Sequence, residues 1–202
     1  MTAETTDPKL TERFDEALKY ASALHRTQTR KGGEIPYLGH LLSVASLVIE
    51  GGGTETQAIA GLLHDAVEDQ GRDGRTLVEI REKFGDDVAT IVAECSDTDV
   101  VPKPPWKPRK EAYISHLGYV SEATILVSLA DKVDNARALL RDHRLVGPKL
   151  WDRFSEHDPQ EHLWYYRTLH EAFKAKNQTW LVDELERVVG ELTTLVARST
   201  NA

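Results

Sequence analysis

Cysteine is all but missing from this chain. The single thiol, Cys95, excludes an internal disulfide and any cysteine-rich zinc site, and it fits a reducing compartment. Any bound metal must therefore be held by His, Asp and Glu. Long apolar runs are absent as well. No stretch approaches the ~20 residues of a bilayer span, and the opening MTAETTDPKL has neither the basic start nor the apolar core of a signal peptide, so a cytoplasmic location is expected. Positive charge is in short supply, with 25 Lys and Arg against 33 Asp and Glu and a net charge of −8. That balance disfavours nucleic-acid polymers and anionic membranes as partners, because their attraction rests on clustered cations. An anionic small molecule would need local basic residues to recruit it. Strand-like alternation and internal repeats are missing too, which leaves an all-α class. At 202 residues, 40% of them hydrophobic, the chain suffices for one domain with a sizeable core.

What is present is a set of ionisable residues where a buried helix is expected. Residues 61–69 read GLLHDAVED. A carboxylate taken out of water without a partner is costly, so buried acids sit beside a cation, a metal or strong donors. At about 100° per residue, one continuous helix would put His64 over Glu68, and Asp65 over Glu68 and Asp69, all in one sector. Two readings fit this stretch alone. It is a helix end emerging into solvent with His64 as a satisfied core histidine, or it is a metal site.

The rest of the chain predicts further helices. Residues 7–28 open on Asp7-Pro8 and carry Phe14, Ala17, Leu18, Ala21 and Leu24 on one face. The following HRTQTRKGGEIP leaves His25, Arg26, Arg30 and Lys31 at a helix end and in a glycine-containing loop, either a solvated basic turn or a recruiting patch. A second helix is expected from near Pro36 to about Glu50, with His40 on the inward face of Val44, Leu47 and Val48. Thr54 with Gln57 forms a capping box for the helix that carries the central stretch, and Thr76 with Glu79 forms another. Residues 86–97 continue as helix with Val88, Ile91, Val92 and Cys95 inward. The proline-rich DVVPKPPWKPRK, residues 99–110, predicts a break in regular structure. It is an ordinary exposed loop, or a binding loop in which Lys103, Lys107, Arg109 and Lys110 surround Trp106. Ser121 to His143 reads as a long helix in which acids again interrupt a buried run, VSLADKVDN, with Asp131 and Asn135 on one face and Asp134 beside them. Helices around LWYYRTLHEAF and from Trp180 to about Val196 complete the chain.

His40, the pair His64-Asp65, and Asp131 thus come from three separate helices, each on a face that should turn inward. Two imidazoles and two carboxylates suit a first-row ion such as manganese, iron or zinc, and they leave positions for water and substrate, as catalytic sites do. Glu68 and Asp69, not needed as ligands, stand one turn along to orient or deprotonate water.

The His, His-Asp, Asp order resembles that of the HD superfamily of metal-dependent phosphohydrolases. RKGGEIPYLGH, GLLHDAVED with the TLVEIREKFGDDVA helix behind it, and VSLADKVDN are similar more narrowly to the hydrolase domain of RelA/SpoT-type alarmone enzymes, in the stand-alone form called small alarmone hydrolases. The resemblance covers about residues 14–140, and the helical extension 141–198 resembles the stand-alone members only loosely. It implies a single HD-type domain of about ten helices over residues 1–202. It also implies a metal, usually Mn2+ with Zn2+ or Fe as other candidates, on His40, His64, Asp65 and Asp131. Water activation would fall to Glu68 and Asp69, and nucleotide contacts to Arg30, Lys31 and Asn135. The implied activity is that of a guanosine 3′,5′-bis(diphosphate) 3′-pyrophosphohydrolase, which degrades (p)ppGpp in the stringent response. Arg109 and Lys110 are expected to add a basic rim for distal phosphates.

The chain departs from the family pattern in three places. One extra residue separates the Arg-Lys pair from His40, Ala138 stands where many members have threonine, and Gln70 replaces a frequent threonine. The alternatives are hydrolysis of another nucleotide, such as an adenine alarmone or a phosphorylated dinucleotide cofactor, or a non-hydrolytic nucleotide sensor. The synthetase and regulatory domains of the long enzymes have no counterpart in this length, so no alarmone synthesis is expected.

Overall fold

A computed structural model describes residues 9–71, 73–96 and 104–200. Among them follow α1 (Glu12–Leu24), α2 (Leu38–Glu50), α3 (Glu55–Leu63), α4 (Ala66–Gln70), α5 (Arg75–Phe84), α6 (Asp86–Cys95), α7 (Trp106–His116) and α8 (Glu122–Val146). A 3-10 turn (Gly147–Arg153), α9 (Pro159–Lys174) and α10 (Trp180–Thr200) complete the order. The all-α expectation holds. Among the described residues no strand forms, and the β pairing is one isolated antiparallel bridge, Thr29 to Pro36, across the loop between α1 and α2. No described helix is long and apolar enough to cross a membrane.

α8 is the axis of the fold, packed by α2, α3, α6, α9 and α10. Its residues 124–131 are buried without interruption, as a helix surrounded on all sides requires, and Asp131 ends that run. Leu41, Val44 and Val48 of α2, Ile59, Leu62 and Leu63 of α3, and Leu129 and Val133 of α8 are wholly inaccessible. Burying each such side chain is worth about 1.5–3 kcal/mol, so this contact among three helices is the stiff part of the molecule. α2 and α3 approach closely at Gly61, where an added Cβ would stand 3.3 Å from Ala45 Cα. Glycine at that position lets the two helices that carry His40 and His64 lie side by side.

Helix starts follow the polar caps. Thr11 accepts from the Arg13 amide, Thr54 and Gln57 form the expected reciprocal box, Ser121 accepts from the Thr124 amide, and Asp158 does so from Gln160 ahead of Pro159. Four expectations need correction or restriction. The first helix begins at Glu12, and the Asp7-Pro8 start lies outside the described residues. Thr76 is not a cap: it lies inside α5, its hydroxyl donating to the Gln70 carbonyl, while Gly74 at φ +86° makes the entry turn and Glu79 accepts from Tyr20 Oη. The central stretch is not one helix, because α3 stops at Leu63 and α4 starts at Ala66. Finally, residues 106–110 are not a loop. They form the first turns of α7, where Pro108 is tolerated because the first amides of a helix have no intrahelical acceptor. Residues 97–103 lie outside the described residues.

Candidate active site

Three helical segments deliver one cluster of donor atoms: His40 from α2, His64 and Asp65 from the junction of α3 and α4, and Asp131 from α8. His40 Nε2 lies 3.4 Å from Asp65 Oδ2 and 3.3 Å from Asp131 Oδ1. His64 Nε2 lies 3.0 Å and 3.5 Å from the same two oxygens. Donors about 2.1 Å from a common ion stand about 3.0–3.4 Å apart at octahedral or tetrahedral angles, so the cluster has the size a first-row metal requires. Both Nε2 atoms are buried and engaged in no hydrogen bond. The opposite nitrogens are engaged: His40 Nδ1 with Asp134 Oδ2 at 2.6 Å and His64 Nδ1 with the Gly61 carbonyl at 2.9 Å. A carbonyl can only accept, so His64 carries its proton on Nδ1 and, when neutral, turns a lone pair toward the other donors. The residues present fit a divalent ion.

The same His64 bond accounts for the break between α3 and α4. In an unbroken helix the Gly61 carbonyl would take the amide of Asp65; here the ring of His64 bonds to it instead. Asp65 then adopts φ −93°, ψ −2°, and its carboxylate meets both imidazoles. Consecutive side chains on a regular helix point about 100° apart, and His64 and Asp65, the two residues of the junction, nevertheless bring Nε2 and Oδ2 to 3.0 Å of each other.

A second layer fixes the carboxylates. Tyr37 Oη donates to Asp65 Oδ2, and Lys132 Nζ to Asp131 Oδ2, each at 2.5 Å. The Ser43 hydroxyl donates to Asp134 Oδ1. Burial opposes charge on Asp65, but His64 and His40 outweigh it and hold that carboxyl well below its usual range. Asp131 is held low likewise, against burial, by Lys132 and then the two imidazoles. Burial also works against a charged His40, yet Asp131, Asp134 and Asp65 raise it to about 9, and His64 is raised well above its ordinary value by Asp65 and Asp131. Without a cation both rings therefore hold an extra proton at neutral pH, and ion binding through Nε2 must expel it. Metal affinity is expected to climb with pH through neutrality and on toward the His40 value of about 9, because both raised imidazoles must give up a proton. Calorimetric titration of metal-free protein at about pH 6, 7.5 and 9, in buffers of different ionisation enthalpy, reads the released protons. Affinity that falls as pH rises would rule out these nitrogens as ligands.

The HD domain family profile matches residues 17–150, a span that contains all four donors. The chain belongs to the HD-domain family. It is 38% identical over 167 residues to the guanosine-3′,5′-bis(diphosphate) 3′-pyrophosphohydrolase MESH1 of Xenopus tropicalis, covering 81% of this chain and 84% of that protein. The Homo sapiens protein of the same name is 37% identical over 150 residues, covering 73% and 76%. A solved structure of a metazoan ortholog of SpoT that hydrolyses ppGpp superposes with a TM-score of 0.73 at 27% identity, covering 91% of this chain and 96% of that one.

Within this HD domain the remaining candidates fall in different places. Arg30 and Asn135 are brought together, Arg30 Nη2 donating to Asn135 Oδ1 at 2.9 Å while Nη1 lies 3.5 Å from Asp134 Oδ2. Asn135 also donates to Asp131 Oδ1, which ties the Arg30 loop to the donor cluster through one amide. Lys31 is exposed, with Nζ 5.9 Å from the Phe154 ring centre. Glu68 is half-buried on α4, one turn beyond Asp65; Asp69 is exposed and accepts from Gln28 Nε2 at 2.6 Å. Gln28 in turn faces His25 Nδ1 at 2.7 Å, so the end of α1 is wired to Asp69. Arg109 and Lys110 are half-buried on α7, with Lys110 Nζ 5.0 Å from the Tyr165 ring centre. Lys107 sits over Trp164 and pairs with Glu161 of α9, so the segment that carries the expected basic rim is seated on α9.

Sequence reasoning missed three residues. Asp134 reads from sequence only as an acid in a buried run, although it holds His40. Lys132 lies in the same run, and burial is outweighed by Asp131, which keeps its ammonium well above its ordinary value. Tyr37 sits inside the quoted PYLGH segment, and burial and Asp65 push its phenol upward.

Proposed function

We propose that this HD domain is a metal-dependent phosphohydrolase that removes the 3′ pyrophosphate from guanosine 3′,5′-bis(diphosphate), most simply with Mn2+. The observation that carries the reading is the donor cluster of His40, His64, Asp65 and Asp131 joined through Asn135 to Arg30. The MESH1 relatives, whose activity is this hydrolysis, support it. Zn2+ and Fe suit the same nitrogen and oxygen donors. The buried core, continuous from Ala17 to Val196, supports one HD-type domain with its extension packed on it. The −8 charge, which disfavours nucleic-acid polymers and anionic membranes, and the lack of a spanning helix among the described residues support the reading of a cytoplasmic protein.

A divalent ion held by the four donors supplies Lewis acidity toward phosphoryl oxygens and makes a bound water more acidic. The chain does the rest. Arg30 and Lys31 meet the nucleotide's phosphates and stabilise charge that grows in transfer. Glu68 and Asp69 orient the water and take its proton. Water attacks the phosphorus joined to the ribose 3′ oxygen, that P–O bond breaks, the 3′ hydroxyl gains a proton, and pyrophosphate leaves with GDP as the other product. Tyr37, Lys132 and Asp134 keep Asp65, Asp131 and His40 from turning away. Arg109 and Lys110 lie on a helix beside α9, from which they extend positive charge toward distal phosphates.

Manganese-loaded protein should release pyrophosphate from guanosine 3′,5′-bis(diphosphate) in preference to a panel of adenine alarmones and phosphorylated dinucleotides, with products resolved by anion exchange. Release of orthophosphate, or a preferred adenine substrate, would transfer the site to another nucleotide. Binding without turnover would make it a sensor.

A further inference from the structure

The structure ties the nucleotide loop to a residue beyond the family-matched region. The loop between α1 and α2 closes on itself: the Arg30 amide donates to the Ile35 carbonyl at 3.0 Å, the Gly33 amide to Arg30 at 3.2 Å, and the Tyr37 amide to Gln28 at 2.9 Å. At its tip Gly32 has φ +72°, and a Cβ there would fall 2.3 Å from Cδ of Arg153 and 2.7 Å from its Cγ and Nε. The stem of Arg153 therefore lies flat against the bare face of the glycine. Its guanidinium then runs on to Asp142 of α8, donating from Nη1 to Oδ2 at 3.0 Å, with both side chains only about a quarter exposed at 24% and 21%. Asp142 is held in turn by Arg141 Nε at 2.8 Å. Next to Arg153, Phe154 packs on His162 with ring centres 5.1 Å apart and lies under Lys31.

We propose that Arg153 is a positioning residue for substrate, clamping the Arg30-Lys31 turn between Gly32 and Asp142. The family profile ends at residue 150, so the clamp comes from the extension. α8 thereby grips the loop twice, directly at Asp134 and Asn135 through Arg30, and two turns later at Asp142 through Arg153. The physical reason is preorganisation. A loop with adjacent glycines, Gly32 and Gly33, loses much backbone freedom when it closes on a ligand, and a clamp that removes this freedom beforehand lowers the cost of binding. Such a contribution acts equally on ground and transition states, so it belongs to KM and not to kcat. The proposal rests on the reading that Arg30 and Lys31 contact the nucleotide.

The test compares Arg153→Ala, Arg153→Lys and Asp142→Asn in the full chain. Amide exchange of Arg30 and Gly33 is read by mass spectrometry, and kinetics are measured with guanosine 3′,5′-bis(diphosphate). Arg153→Ala should speed loop exchange and raise KM, each by about tenfold, with bound metal, melting temperature and kcat nearly unchanged. Asp142→Asn should move both in the same direction by less, and Arg153→Lys, which keeps a stem on Gly32 and a cation on Asp142, should restore most of the loss. Unchanged exchange in the Ala and Asn variants overturns the clamp. Faster exchange with KM unmoved overturns the positioning role. If the wild type neither binds nor hydrolyses this nucleotide, the functional reading has failed instead, and exchange alone decides whether the loop is clamped.

Discussion

Asp131→Asn should purify with little bound metal and little activity, and excess manganese should restore part of both. Asp131 Oδ1 stands 3.3 Å and 3.5 Å from the two imidazole nitrogens, so its charge is central to any ion held there. Outer-shell partners of ligands are typically worth about 10–100-fold in affinity, and a ligand should be worth at least that. The substitution also leaves Lys132 without its anionic partner at 2.5 Å, and breaking a buried pair can cost about 3–5 kcal/mol. Melting curves and a second variant, Asp65→Asn, separate loss of ion from loss of fold. Metal analysis and calorimetric titration give the answer. Wild-type metal content in both variants would mean that these carboxylates do not hold the ion.

Glu68→Gln should behave in the opposite way. It preserves shape and removes basicity, so metal content and nucleotide affinity should stay near wild type while kcat falls by about 10²–10⁴, the usual worth of positioned acid-base help. Added manganese should not rescue it. Glu68 lies three residues past Asp65, on the far side of the helix break, half-buried and outside the donor cluster. If the Gln variant instead lacks metal and recovers with it, Glu68 is a ligand and water activation passes to Asp69, which Gln28 already orients.

The helices, and the four side chains His40, His64, Asp65 and Asp131 that the fold gathers, were legible because each polar residue breaks a buried pattern whose period is unmistakable. Asp131, for example, closes eight consecutive buried positions on α8. The phase of the central stretch was not legible. Counting about 100° per residue through His64 and Asp65 assumes an intact backbone ladder, and a ring nitrogen bonded to the Gly61 carbonyl interrupts it. Prolines misled for a related reason: Pro105 and Pro108 read as breaks, yet one precedes a helix and the other falls in its first turn. The roles of Asp134 and Arg153 had no local signature. Asp134 meets His40 across 94 residues, and Arg153 meets a glycine 121 positions earlier, so only the packed chain brings them together.

The close approach at Gly61 has a bearing on the distance between the two imidazoles. His40 rides on one of the two helices that touch there, and His64 follows directly from the other, their ring centres 5.1 Å apart. The gap between helices is thus a calliper whose jaws are the imidazoles, set by the absence of one methyl group. A side chain at residue 61 would have to press α2 and α3 apart, and with them the two imidazoles. The spacing of His40 and His64 is therefore set partly by backbone packing one turn away from His64.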